Sequence, residues 1–126
     1  MDGLEEGALV EQWRRVQDAY MRTSNAIDRE LESRFDIGFN EFEVLDLVSE
    51  TGLDECRMKK LADHTPLTQS ALSRIVDRLE KAGLITRSAC SDDRRAIFVE
   101  LTEQGRALHR EAAVVHRGVL RENLPD

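Results

Sequence analysis

Apolar residues mark one face of a long helix from Gly7 to Phe35. Leu9, Trp13, Val16, Tyr20, Ile27, Leu31 and Phe35 recur at steps of three, four and seven, without proline or internal glycine. Such a helix runs ~40 Å at ~1.5 Å per residue, more than a small domain covers by itself. Part of the stripe is therefore expected to pack against a second chain. After a break at Asp36 to Gly38, Asn40 followed by Glu43 reads as a capping box for a helix to about Thr51, ended by Gly52. Asp54 is placed to cap a short helix from Cys56 to His64, with Met58, Leu61 and Ala62 facing inward.

The turn HTPL follows, and Thr68 caps the next helix, TQSALSRIVDRLEKAG. Its faces differ sharply: Leu72, Ile75, Val76 and Leu79 bury one side, while Gln69, Ser70, Ser73, Arg74, Asp77, Arg78 and Lys81 take the other. Gly83 ends it as a C-terminal cap. Leu84 to Ser88 and Ala96 to Leu101 are strand-like, with DDRR near the tip between them. Thr102 caps a final helix to about Asn123, and Pro125 stops it.

Helix, helix, turn, helix, β-hairpin is the order of a winged helix-turn-helix, whose second helix presents its N-terminal side chains to base edges in the DNA major groove. The expected fold is mainly α with a small β-hairpin, the winged helix-turn-helix being flanked by long N- and C-terminal helices. Gln69, Ser70, Ser73 and Arg74 can all hydrogen-bond base edges or phosphates, glutamine being suited to adenine and arginine to guanine. The plainer reading is that any amphipathic helix has a polar outer face. The tip also has two readings. Arg94 and Arg95 can enter a minor groove with an aspartate as orienting partner, or Asp92 and Asp93 simply favour a solvated turn.

Composition first argues against a polyanion, because 18 basic and 25 acidic residues leave a net charge of −7. The distribution reverses that inference. Nine basic and five acidic residues between Arg57 and Ile97 make that stretch +4, and the remainder −11. The N-terminus MDGLEEG has no apolar h-region and no apolar run approaches a membrane span, so a cytoplasmic protein without a membrane partner is expected. Cys56 and Cys90 are too few for a disulfide framework. An enzyme is disfavoured: there is no glycine-rich phosphate loop, no nucleophile elbow and no Cys or Ser with a recognisable His partner.

MKKLADHTPLTQSALSRIVDRLEKAGLITR, then DDRR, then VELTEQG resembles the MarR family of bacterial transcriptional regulators. The resemblance is dense from Met58 to Gly105. It implies a single domain over 1–126, with dimerisation helices at 1–38 and 102–126 around a winged helix-turn-helix at 39–101. It further implies a homodimer on a palindromic duplex operator, acting as repressor or activator without a cofactor. The implied DNA-facing set is Thr68, Gln69, Ser70, Ser73, Arg74 and Arg78, with Asp93, Arg94 and Arg95 in the wing. The family's D-x-R pattern falls on Asp93 and Arg95. Members commonly continue into a further helix, whereas this chain stops at ENLPD, leaving the dimer to the first and last helices or to a shortened form.

Many such regulators release DNA when a small aromatic or phenolic anion binds, and Trp13, Tyr20, Phe39 and Phe42 are candidates to line that pocket. The plainer reading, and the one favoured for each of them, is that they are core and interface residues, since aromatics at helical spacing usually serve packing. Thiol sensing through Cys56 or Cys90, and a winged helix serving only protein interaction, are the alternatives. Metal sensing is not expected, because His109 and His116 lie ~10.5 Å apart along one helix. His64 is read as a helix cap or a phosphate contact.

Overall fold

Helix α1 spans Gly3–Phe35 in the computed structural model, which describes residues 2–50, 56–89 and 97–125. It starts four residues earlier than its apolar stripe suggests. Asp2 accepts a hydrogen bond from the Glu5 backbone N–H at 2.8 Å, and Glu5 and Glu6 complement the positive end of the helix dipole, so a polar first turn is stable without apolar residues. At the other end Asp36 adopts the left-handed conformation, φ 58°, and returns its N–H to the Glu32 carbonyl.

Helix α2 is Phe39–Glu50, and Asn40 is not its cap. The Phe39 N–H instead donates to the Asp28 carboxylate at 2.8 Å, so α1 supplies the cap from eleven residues upstream. A second departure comes at Cys56–Arg57, expected to open a helix. They form a short strand, β1, and the helix that follows, α3, is only Met58–Asp63. Cys56 pairs with Val99 and Arg57 with Phe98, hydrogen bonds across the sheet that a local helix-cap reading does not include. Gly52 and Asp54, assigned as helix end and cap, lie outside the described residues.

Helix α4, Gln69–Lys81, follows its pattern closely. Thr68 accepts from the Ala71 N–H at 3.2 Å, a cap of the kind that contributes about 1 kcal/mol. Gly83, at φ 79°, closes the helix: its N–H reaches the Glu80 carbonyl and the Leu84 N–H reaches Leu79, a Schellman arrangement. Strands β2, Ile85–Ala89, and β3, Ile97–Leu101, pair antiparallel with Ile85 opposite Leu101 and Ala89 opposite Ile97. With β1 the sheet is three-stranded, in the order β1-β3-β2, rather than a plain hairpin. Helix α5 runs Glu103–Asn123.

The chain divides into two compact units, with the boundary inside α5. One comprises Met1–Phe39 with Val114–Asp126; the other, Asn40–Ala113, contains the helix-turn-helix and the sheet. The second unit buries Phe42, Leu45, Leu61, Leu72, Ile75, Val76, Leu79, Ile85 and Val99 almost completely. Each such side chain contributes about 1.5–3 kcal/mol on burial, which makes this core the main source of the unit's stability. All four apolar residues predicted for α4 are among them, so its opposite face is turned to solvent.

Candidate nucleic-acid interface

The outward face of α4 is set by its inward one. Leu72, Ile75, Val76 and Leu79 lock the helix rotation, and at 3.6 residues per turn this turns Gln69, Ser70, Arg74, Arg78 and Lys81 outward. Thr68, Gln69, Ser70, Arg74 and Arg78 are exposed, while Ser73 is half-buried. The first turn of α4 carries no acidic residue, and its last turn carries Arg78 and Lys81. An open groove of about 550 Å³ runs beside the helix, lined by Asn40, Leu67, Arg74, Asp77, Arg78 and Lys81 among others.

The cations on this face differ in their engagement. Arg78 makes a long 3.6 Å ion pair with Glu41 of α2 and stays largely exposed. Among the described residues Arg74 and Lys81 pair with no carboxylate. Lys59 and Lys60 of α3 are exposed too, and the His64 ring Nδ1 lies 2.9 Å from the Lys60 carbonyl, the position of a C-terminal helix cap.

Arg87, on β2, was not among the residues that sequence reasoning singled out. Its guanidinium reaches back to α4, with Nη2 at 2.6 Å from Asp77 and 2.9 Å from Glu80 and Nε at 3.3 Å from the same Glu80 oxygen. Hydrogen bonding to Glu80 first, then to Asp77, raises the Arg87 pKa above its ordinary value against the opposing effect of burial. The group is therefore a permanent cation. No local pattern marks it, since a single arginine in a strand of five looks like ordinary solvated alternation. Only the packing of β2 beside α4 reveals its partners.

Asp93, Arg94 and Arg95 lie outside the described residues. Of the candidate effector residues, Tyr20 and Phe39 meet edge to face, with ring centroids 6.3 Å apart at 82°. Trp13 is exposed, two turns before Tyr20 on α1. Phe42 sits in the core of the other unit, stacked on the His109 ring at 5.7 Å. His109 Nε2 is 2.7 Å from the Asp46 carboxylate and 3.2 Å from the Ser49 hydroxyl, which itself donates to the Asp46 carbonyl. That network ties α5 to α2. His116 is buried beside Arg117, and no cluster of three metal-ligating side chains occurs among the described residues.

The motif VELTEQG also acquires a physical role here. The Thr102 hydroxyl donates to the Gly83 carbonyl at 2.6 Å and accepts from the Gly105 N–H at 2.9 Å, while the Thr102 N–H donates to Leu84 O. One threonine thus caps α5 and fastens it to the turn that ends α4.

The MarR family model matches residues 39–97. Over nearly the whole chain the fold matches the crystal structure of AbsC, a MarR family transcriptional regulator from Streptomyces coelicolor, at a TM-score of 0.82 and 31% identity, covering 98% of this chain and 80% of that one. This chain belongs to the MarR family. A second MarR family regulator from Streptomyces coelicolor, solved in complex with DNA, matches at 29% identity and a TM-score of 0.84, covering 98% of this chain and 75% of the other. The transcriptional regulator PecS of Dickeya dadantii is 28% identical over 128 residues, spanning 90% of this chain and 77% of PecS. MarR-family proteins are transcriptional regulators and not enzymes. Among the described residues no helix is long and apolar enough to cross a membrane.

Proposed function

We propose that this MarR-family regulator binds a palindromic site in duplex DNA as a homodimer, with α4 in the major groove. The observation that carries the reading is the outward face of α4, where Gln69, Ser70 and Arg74 stand exposed and Arg74 is uncommitted to any carboxylate among the described residues. Gln69 suits adenine and Arg74 suits guanine, while Arg78 and Lys81 farther along the helix suit phosphates. The DNA complex of the 29% identical Streptomyces coelicolor regulator supports the same use of the fold.

The homodimer rests on α1. Leu9, Trp13, Val16 and Tyr20 repeat at four, three and four residues, and each is about half exposed or more. An apolar stripe of that length on one helix is characteristic of an interface rather than a free surface. Two copies present two α4 helices, which calls for half-sites ~34–36 Å apart. In this reading Arg95 enters the minor groove with Asp93 orienting it, Arg94 flanks it, and a small aromatic or phenolic anion near Trp13, Tyr20 and Phe39 releases the repressor from DNA.

Fluorescence anisotropy on a duplex selected from genomic fragments tests the DNA reading. With two or three phosphate contacts per protomer, log Kd plotted against log salt should have a slope of about 4–5. Duplex binding that is absent, or indifferent to salt, contradicts it. Arg95→Ala should weaken binding by about 1–3 kcal/mol with an unchanged thermal melt. Wild-type affinity in that variant removes the wing from the interface.

A further inference from the structure

Helix α4 carries its own competitors for DNA. Asp77 lies three residues after Arg74 and four before Lys81, and on a helix those spacings bring side chains together as ion pairs. An aspartate four residues ahead of a lysine is in the favourable orientation for such a pair. Asp77 also lines the groove together with Arg74, Arg78 and Lys81. Left to the helix alone, it would draw off the two cations that the proposed interface most needs.

The structure has a different pairing. Asp77 is held by Arg87 at 2.6 Å, Glu80 is held by the same guanidinium at 2.9 Å, and neither Arg74 nor Lys81 has an ion pair among the described residues. Arg87 comes from β2, so its position is fixed by strand pairing with β3, opposite Val99, and not by the helix it serves. All three partners are partly exposed, with side-chain exposures of 31% for Arg87, 49% for Asp77 and 39% for Glu80. Ion pairs this open contribute only about 0–1 kcal/mol to stability, too little for folding to be their main consequence.

We infer that Arg87 sequesters Asp77 and Glu80, leaving Arg74 free for a base edge and Lys81 for a phosphate, and cancelling the negative charge that α4 would otherwise bring to the duplex. Arg87 is in this account a positioning residue: it acts through the two carboxylates and touches no nucleotide. The inference rests on the proposed DNA reading and assigns a regulator of affinity to it.

Anisotropy titrations of the full chain against the selected duplex test it, with folding checked by circular dichroism. Arg87→Ala should bind roughly tenfold more weakly at physiological salt, because one cation is lost and Asp77 turns to Lys81 or Arg74. Adding Asp77→Asn to that variant should restore most of the loss. Adding Glu111→Gln, which makes the same charge change at an exposed position on α5, should restore little. Asp77→Asn with Glu80→Gln in an otherwise wild-type chain should bind as tightly as wild type or tighter, whereas a mechanical brace between wing and helix would be weakened by it. Equal affinity of Arg87→Ala and wild type, equal rescue by Glu111→Gln, or weaker binding of the Asp77→Asn/Glu80→Gln pair each overturns the inference while leaving the DNA reading intact. A wild-type chain that binds no duplex removes both together.

Discussion

Gly105→Ala is expected to destabilise the winged-helix unit by about 3 kcal/mol, a large effect for one methyl group. A Cβ at Gly105 would stand 2.0 Å from the Leu84 carbonyl oxygen and 2.9 Å from its carbon, both backbone atoms that cannot swing aside as a side chain does. Leu84 is held from both directions. Its N–H closes the Schellman turn to Leu79, and its carbonyl accepts from the Thr102 N–H at 3.0 Å. Relief of the clash requires the start of α5 to move off the α4–β2 turn, breaking the Thr102 clasp to Gly83 at 2.6 Å. Gly7→Ala is the matched control, since a Cβ there meets nothing within 4 Å. It should be neutral or stabilising by up to ~1 kcal/mol through helix propensity. Urea unfolding at fixed protein concentration measures both, and a Gly105→Ala midpoint equal to wild type would show that the contact can relax.

The second large effect is expected at α1. Trp13→Glu combined with Val16→Glu should convert the proposed dimer to monomer at micromolar concentration and reduce operator affinity by about a hundredfold or more, since two half-sites are no longer held by one particle. The two positions lie three apart on the exposed stripe and are 59% and 55% exposed in the single chain. Substitution there leaves the fold of one protomer untouched. In the dimer it buries carboxylates without partners, which costs several kcal/mol for each copy. Light scattering after size exclusion provides the readout. A wild-type chain that is already monomeric, or a double variant that still dimerises, argues against α1 as the interface.

How legible the site was in the sequence depends on the range of the interactions involved. The polar face of α4 could be read directly, because Leu72, Ile75, Val76 and Leu79 lie within two turns and dictate which side faces out. Thr68 and Gly83 were readable for the same reason: each makes its capping bonds within a few residues of itself. Asn40 misled because a capping-box pattern is a local statement, and Asp28 of another helix supplies that hydrogen bond instead. The strand at Cys56–Arg57 escaped notice because two residues carry no periodicity, and its partners Val99 and Phe98 lie some forty positions on. Phe42 illustrates the ambiguity of aromatics at helical spacing. It fits a ligand pocket by composition, yet it is fully buried against the His109 ring.

The chain alone thus determined the run of helices, the faces of α4, the caps at Thr68 and Gly83 and the resemblance to MarR regulators, all of which depend on residues close together in sequence. Tertiary structure decided which charges remain available. Arg87 meets Asp77 and Glu80 because β2 packs beside α4, and Gly105 must lack a side chain because α5 begins against Leu84. Those contacts come from strand pairing and close backbone approach, which arise only once separate elements are brought together.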